Sequence, residues 1–124
     1  MLVVRKSRLA GKGLFTTSLL RCGDVIVEYT GERLTYEECE KRYGKNFRSD
    51  VAPYVFYVSK KNCVDARDPE NLARYANDAN GPAKKGVENC AEFAVIKGRP
   101  YIVATKDIKP NSEIYVNYGD DYWP

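Results

Sequence analysis

The chain has 124 residues, of which 44% are apolar and 30% charged, and its net charge is +3. That suffices for one compact domain with a single modest core. No run approaches the roughly 20 apolar residues of a membrane helix, and no Lys/Arg-rich block argues for direct nucleic-acid binding.

Histidine is absent. Its absence removes Ser-His-Asp and Cys-His catalysis, zincin sites and zinc fingers, so any proton transfer must use Tyr, Lys, Cys, a carboxylate or water. Ten tyrosines stand out; each brings an apolar ring with a hydroxyl at its tip, which suits a wall that is both apolar and hydrogen-bonding. The N-terminus, "MLVVRKSRLAG", lacks the apolar stretch of a signal peptide, and an intracellular protein is expected. Cys22, Cys39, Cys63 and Cys90 are widely spaced with no CxxC pair, which reads as scattered thiols in a reducing compartment.

In chain order, short Val-, Ile- and Tyr-rich patches separated by Gly, Pro, Asn and Asp predict strands at "LVVRKS", "GLFTT", "DVIVEYTGE", "YVFYVSK", "NCVDA", "AEFAVIK", "PYIVATKDI" and "EIYVNYG". "KGRP", Lys97 to Pro100, reads as a hairpin turn. Two helices interrupt the strands. "TYEECEKRYG" opens with Thr35, has Glu38 three residues on as a capping box, and stops at Gly44. "DPENLARYA" has Asp68 as N-cap and Pro69 at its first helical position. The fold class is mainly β with small helices, and so many short strands imply several small sheets rather than one large barrel.

Four segments could carry chemistry. "AGKGLF" contains a Gly-x-Gly that lets backbone amides approach a ligand, although such a pair is more often a hairpin turn. In "PYVFYV" the face carrying Tyr54, Phe56 and Val58 reads as core by default. "NLARYANDANGP" ends a helix with more side-chain amides than a stop requires, and Asn77 and Asn80 each offer a donor and an acceptor for a zwitterionic amino-acid group. "EIYVNYGDDYWP" ends on Tyr122 and Trp123, aromatic where chain ends are usually polar.

Together and in this order, "GKGLF", "VIVEYTGE", "YVFYV…NCVDARDPENLARYANDANGP", "NC" and "ATKDIKPNSEIYVNYGDDYW" resemble a SET domain, the fold of S-adenosylmethionine-dependent protein-lysine methyltransferases. The resemblance runs from about Val4 to Trp123, and the length is similar to that of minimal stand-alone SET proteins of large DNA viruses. It implies a β-clip-like fold of several small sheets with a knot-like C-terminal crossing, spanning 1–124 as a single SET domain. Pre-SET and post-SET zinc segments are not expected, and neither is a metal. Asn77-Asp78-Ala79 stands where the family has Asn-His-Ser, and Asn111-Ser112-Glu113 where it has Gly-Glu-Glu.

The resemblance also implies roles. Tyr118 matches the catalytic tyrosine and Tyr54 a second channel tyrosine. The backbone of Gly11, Lys12, Gly13 and Leu14 is expected against the methionine end of S-adenosylmethionine, with Arg74, Asn77 and Asp78 beside the cofactor and Trp123 over its adenine. Val116, with Tyr122 nearby, is placed along the substrate channel, where an aliphatic residue leaves room for di- or trimethylation. The implied partner is a protein or peptide with a target lysine, a histone tail foremost, with a homodimer completing the site as a further expectation. A nuclear location, host-nuclear for a virus-encoded protein, follows from a histone substrate. The alternative is an inactive SET-like module that binds peptide or cofactor without turnover, for which the Asp78-Ala79 departure is the reason.

Overall fold

The computed structural model describes residues 1–9, 11–45, 54–59, 61–67, 71–80 and 86–118. Among them are β1 (Leu2–Lys6), β2 (Lys12–Thr16), β3 (Val25–Glu28), β4 (Glu32–Thr35), α1 (Tyr36–Tyr43), β5 (Val55–Tyr57), β6 (Asn62–Asp65), a 3-10 helix (Leu72–Tyr75), β7 (Ala91–Ile96), β8 (Arg99–Ala104), β9 (Ser112–Glu113) and β10 (Val116–Asn117). The strands form three small sheets, ordered β1-β2-β9, β10-β7-β8-β3 and β4-β6-β5. All the pairings are antiparallel except that of β10 with β7.

The β7–β8 hairpin closes through Lys97 (φ 50°) and Gly98 (φ 78°). Two successive positive φ angles make the primed turn whose twist matches paired strands. The patch "DVIVEYTGE" does not form one strand. Gly31 lies between β3 and β4, where a Cβ would come within 2.3 Å of the Asp65 backbone oxygen.

Helix α1 begins as its sequence predicts. The Thr35 hydroxyl accepts the Glu38 N–H, the Glu38 carboxylate accepts the Thr35 N–H, and Gly44 (φ 97°) ends the helix. It is pinned to its sheet by Asp65, whose buried carboxylate accepts hydrogen bonds from Arg42 (3.0 Å) and the Tyr43 hydroxyl. Beneath it, Cys39 and Cys63 are buried together with Leu34, and burial pushes both thiols up, Cys63 to about 12.

The second helix is shorter than its sequence suggests. Asn71 is extended (φ −78°, ψ 103°), so helical geometry starts at Leu72 as a single 3-10 turn. The Asn71 side chain accepts the Thr30 hydroxyl at 2.8 Å and so ties two loops together instead of capping a helix. Asp68 and Pro69 lie outside the described residues.

The main core gathers Leu14, Val64, Ile102, Ile114 and Val116, all with 2% exposure or less. Each such side chain contributes about 1.5–3 kcal/mol by leaving water. Asn111 explains one departure from the family pattern. It turns the chain into β9 with φ 64° and donates its N–H to Thr16 O at 2.7 Å. That left-handed conformation is open to Gly and Asn and costs other L-residues about 1–2 kcal/mol. Asn111→Gly is therefore expected to be neutral to within about 0.5 kcal/mol, and Asn111→Val to lose about 1–2 kcal/mol, as read by urea denaturation.

Candidate active site

The site forms where segments distant in sequence converge. Asn77 bridges Tyr115 in parallel, and its carbonyl accepts the Val116 N–H at 2.8 Å. The end of the 3-10 turn is thereby laid against the last strand, and Tyr118 reaches back across it. The Tyr118 hydroxyl donates to Ala76 O at 2.5 Å, and its N–H donates to the Asp78 carboxylate at 2.9 Å.

A cavity of about 520 Å³ opens beside this crossing, within the ordinary range for a small-molecule site. Its lining combines the Gly11–Lys12 turn and Asn77 with a wall of Tyr29, Tyr54, Phe56, Tyr57, Tyr75, Phe93 and Tyr118. Five of the ten tyrosines line it, which accounts for their abundance. The floor is an aromatic cluster in which Phe56 and Phe93 lie 4.7 Å apart and Tyr29 meets Phe93 edge-on at 5.5 Å. The Tyr29 hydroxyl donates to Tyr54 O at 2.7 Å and fixes the backbone from which Tyr54 projects.

Arg74 stacks its guanidinium 3.9 Å over the Tyr54 ring. It donates to the carbonyls of Ala66 and Arg67, while its buried Nε has no hydrogen-bond partner among the described residues. At the Gly11–Lys12 turn, Gly11 has φ 51°, and a Cβ there would meet no atom within 4 Å, so open space adjoins the turn. Asn77 turns its amide NH2 to Lys12 O (3.1 Å) and to Glu113 Oε2 (3.2 Å).

Glu113 organises this region from below. It is 8% exposed and also accepts from the Ser7 hydroxyl (2.7 Å), the Tyr115 hydroxyl (3.0 Å) and the Arg8 N–H (3.4 Å). Burial, together with the Glu113 charge, pushes the Tyr115 phenol up to about 12.

The profile of one family, the SET domain, matches residues 11–119. The chain belongs to the SET-domain family. N-lysine methyltransferase KMT5A-A of Danio rerio is 32% identical over 127 residues, which cover 96% of this chain and 35% of that protein. Histone-lysine N-methyltransferase EZH2 of Chaetomium thermophilum is 32% identical over 130 residues, 97% of this chain and 8% of that protein. The solved polycomb repressive complex 2 of Chaetomium thermophilum superposes with a TM-score of 0.77 at 29% identity, covering 98% of this chain and 16% of the other. The same complex in an autoinhibited conformation bound to S-adenosylmethionine gives 0.75 at 28% identity, over 98% and 15% of the two chains. This SET domain thus spans about a third or less of these relatives.

Within the SET domain, the cavity brings together Gly11, Lys12, Tyr54, Arg74, Asn77 and Tyr118. Four other residues expected at the site do not line it. Leu14 is fully buried in the core, and its carbonyl accepts the Ile114 N–H. Gly13 backs onto Glu113, where a Cβ would stand 2.2 Å from Oε2. Val116 is fully buried and pairs with Ala91, so the room it was expected to leave for extra methyl groups does not open onto the cavity. Asp78 is 5% exposed, and its carboxylate is directed to the Tyr118 N–H. Tyr122 and Trp123 lie outside the described residues.

Sequence reasoning missed Tyr29, Tyr57, Tyr75 and Phe93 as lining residues. The surplus of tyrosine was the available signal, but it gave no positions. The face of "PYVFYV" that the sequence assigns to the core is also a cavity wall. Phe56 packs against the main core and lines the site at once.

Proposed function

We propose that this chain is an S-adenosylmethionine-dependent protein-lysine N-methyltransferase. The observation that carries the reading is a single cavity lined both by the Gly11–Lys12 turn and Asn77 and by an aromatic wall that includes Tyr118. The Danio rerio and Chaetomium thermophilum relatives carry lysine and histone-lysine methyltransferase names, in support of the same chemistry.

The residues present fit such a cofactor. Gly11 leaves space beside it for close backbone approach, and the Asn77 amide, oriented by Lys12 O and Glu113, stands at the same end. Gly11, Lys12 and Asn77 would hold the amino-acid portion. When bound, the cofactor supplies an electrophilic methyl group on a sulfonium.

The protein's task is then alignment and delivery of a neutral amine. A free lysine, with a pKa of ~10.4, is almost wholly protonated near neutrality. Entry into a channel walled by Phe56, Phe93 and tyrosine rings disfavours the ammonium and releases its proton to solvent. Holding the amine in line is the kind of pre-alignment that supplies several kcal/mol, up to ~7–11 in the best cases. Tyr118 and Tyr54 orient the amine, and no histidine is needed.

The substrate class that fits is a lysine on an extended basic segment, a histone tail foremost. One of the neighbouring complexes was solved with H3K27me3 and H3K27M. A nuclear site of action follows for a histone substrate. Calorimetry with S-adenosylmethionine and transfer of labelled methyl to a histone panel test the reading. Saturable binding with label on lysine is expected. Binding without transfer would leave only a non-catalytic module, and absence of binding would overturn both readings.

A further inference from the structure

The Asp78 carboxylate is engaged by hydrogen bonds within the fold itself. In a regular parallel ladder the Val116 N–H bonds to Asn77 O, and the Tyr118 N–H would take the carbonyl of residue 79. The first bond is present at 2.8 Å. The second is replaced: the chain turns at Ala79, and the Asp78 carboxylate takes the Tyr118 N–H at 2.9 Å.

The other carboxylate oxygen accepts from the Asn80 N–H (2.8 Å) and from the Asn89 side-chain NH2 (2.9 Å). Asn89 cannot reverse its amide, because its own oxygen accepts the Ala79 N–H at 2.8 Å. N–H donors therefore converge on both oxygens, and the arrangement calls for a group that only accepts. Ala79, beside it, is buried against Leu9 and Tyr115 and needs no hydroxyl to fill its place. Tyr118 is gripped at both ends by one short segment, its N–H by Asp78 and its hydroxyl by Ala76 O.

We propose that Asp78 is the positioning residue for Tyr118: its carboxylate stands in for a ladder carbonyl and sets the depth of the Tyr118 hydroxyl in the cavity. The inference rests on the methyltransferase reading of that cavity. It places the effect of Asp78 on turnover and leaves cofactor affinity to the Gly11–Asn77 end.

The test compares Asp78→Asn with the wild-type protein, measuring kcat for methyl transfer and the Kd for S-adenosylmethionine by calorimetry. An asparagine must turn its NH2 either to the Tyr118 N–H or to Asn80 and Asn89. A misplacement of the order of 1 Å costs about 100-fold in rate, so kcat is expected to fall about 10- to 100-fold while Kd stays within about two-fold. Ile108→Val, a core change away from the cavity, serves as the stability control and is expected to lower Tm while keeping kcat. Equal kcat for Asp78→Asn and wild type, or a loss no larger than Ile108→Val shows at the same Tm, would overturn the proposal. If Asp78→Asn does not fold, Asp78→Glu keeps an acceptor-only group one methylene longer; reduced kcat with unchanged Kd supports the proposal, and wild-type kcat overturns it. A wild-type protein that binds the cofactor without turnover would remove the methyltransferase reading and this inference with it.

Discussion

Glu113→Leu is expected to weaken S-adenosylmethionine binding by about 10- to 100-fold and to destabilise the fold by about 2–4 kcal/mol. The Glu113 carboxylate accepts from Ser7 Oγ and Asn77 Nδ2 on one oxygen and from Tyr115 Oη and the Arg8 N–H on the other. A leucine is of similar size but accepts no hydrogen bond, so both pairs lose their acceptor. If the Asn77 amide reversed, its oxygen would face Lys12 O, 3.1 Å from the present nitrogen. Either way the amide at the Gly11–Lys12 end loses its fixed orientation. Calorimetry for Kd and urea denaturation for stability read the two effects, and Tyr115→Phe separates them. It removes one donor to Glu113 without touching Asn77, so stability should drop with Kd unchanged. A Glu113→Leu protein that binds cofactor like wild type would refute this account.

The same packing fixes a pH dependence. The Tyr115 pKa is raised by burial and by Glu113, from 10 in the unfolded chain to about 12 in the fold. Its contribution to stability is complete below about pH 10 and is lost as pH rises through about 12, because the unfolded chain releases that proton first.

What could be read in the sequence follows the range of the interactions. The α1 capping box, its Gly44 stop and the Lys97-Gly98 turn are set within a few residues, and they form where the pattern puts them. Ordered motifs carried the family, because spacing survives where single residues change. The inward direction of Val116 and Leu14 was not legible, since a short strand of aliphatic residues looks alike whether it faces a core or a channel. Nor was the use of Asp78. A polar residue in a turn cannot announce that its partner is a backbone N–H 40 residues away. The second helix is shorter for a related reason: Asn71 is extended, and its side chain accepts from Thr30, 41 residues away.

Tyr118→Phe is expected to lower kcat by about 10²–10³-fold, the usual cost of removing one positioned polar group at the reacting centre. Cofactor Kd should stay within about two-fold, because the Gly11–Asn77 end is untouched. Stability should fall by about 1 kcal/mol, the net value of the hydrogen bond to Ala76 O. The ring itself stays packed, with Phe93 6.4 Å away. The role follows from where the hydroxyl proton goes. It is donated to Ala76 O at 2.5 Å, so toward a bound amine the oxygen acts as an acceptor. An amine that donates an N–H to it has its lone pair turned elsewhere, available for in-line attack on the methyl. This is orientation without proton removal, and the two are separable by pH. The rate should rise with pH as more lysine is neutral, and Tyr118→Phe should lower that curve without changing its slope. A variant that lost the pH dependence along with the rate would make Tyr118 the base. One that kept the rate would remove Tyr118 from the chemistry altogether.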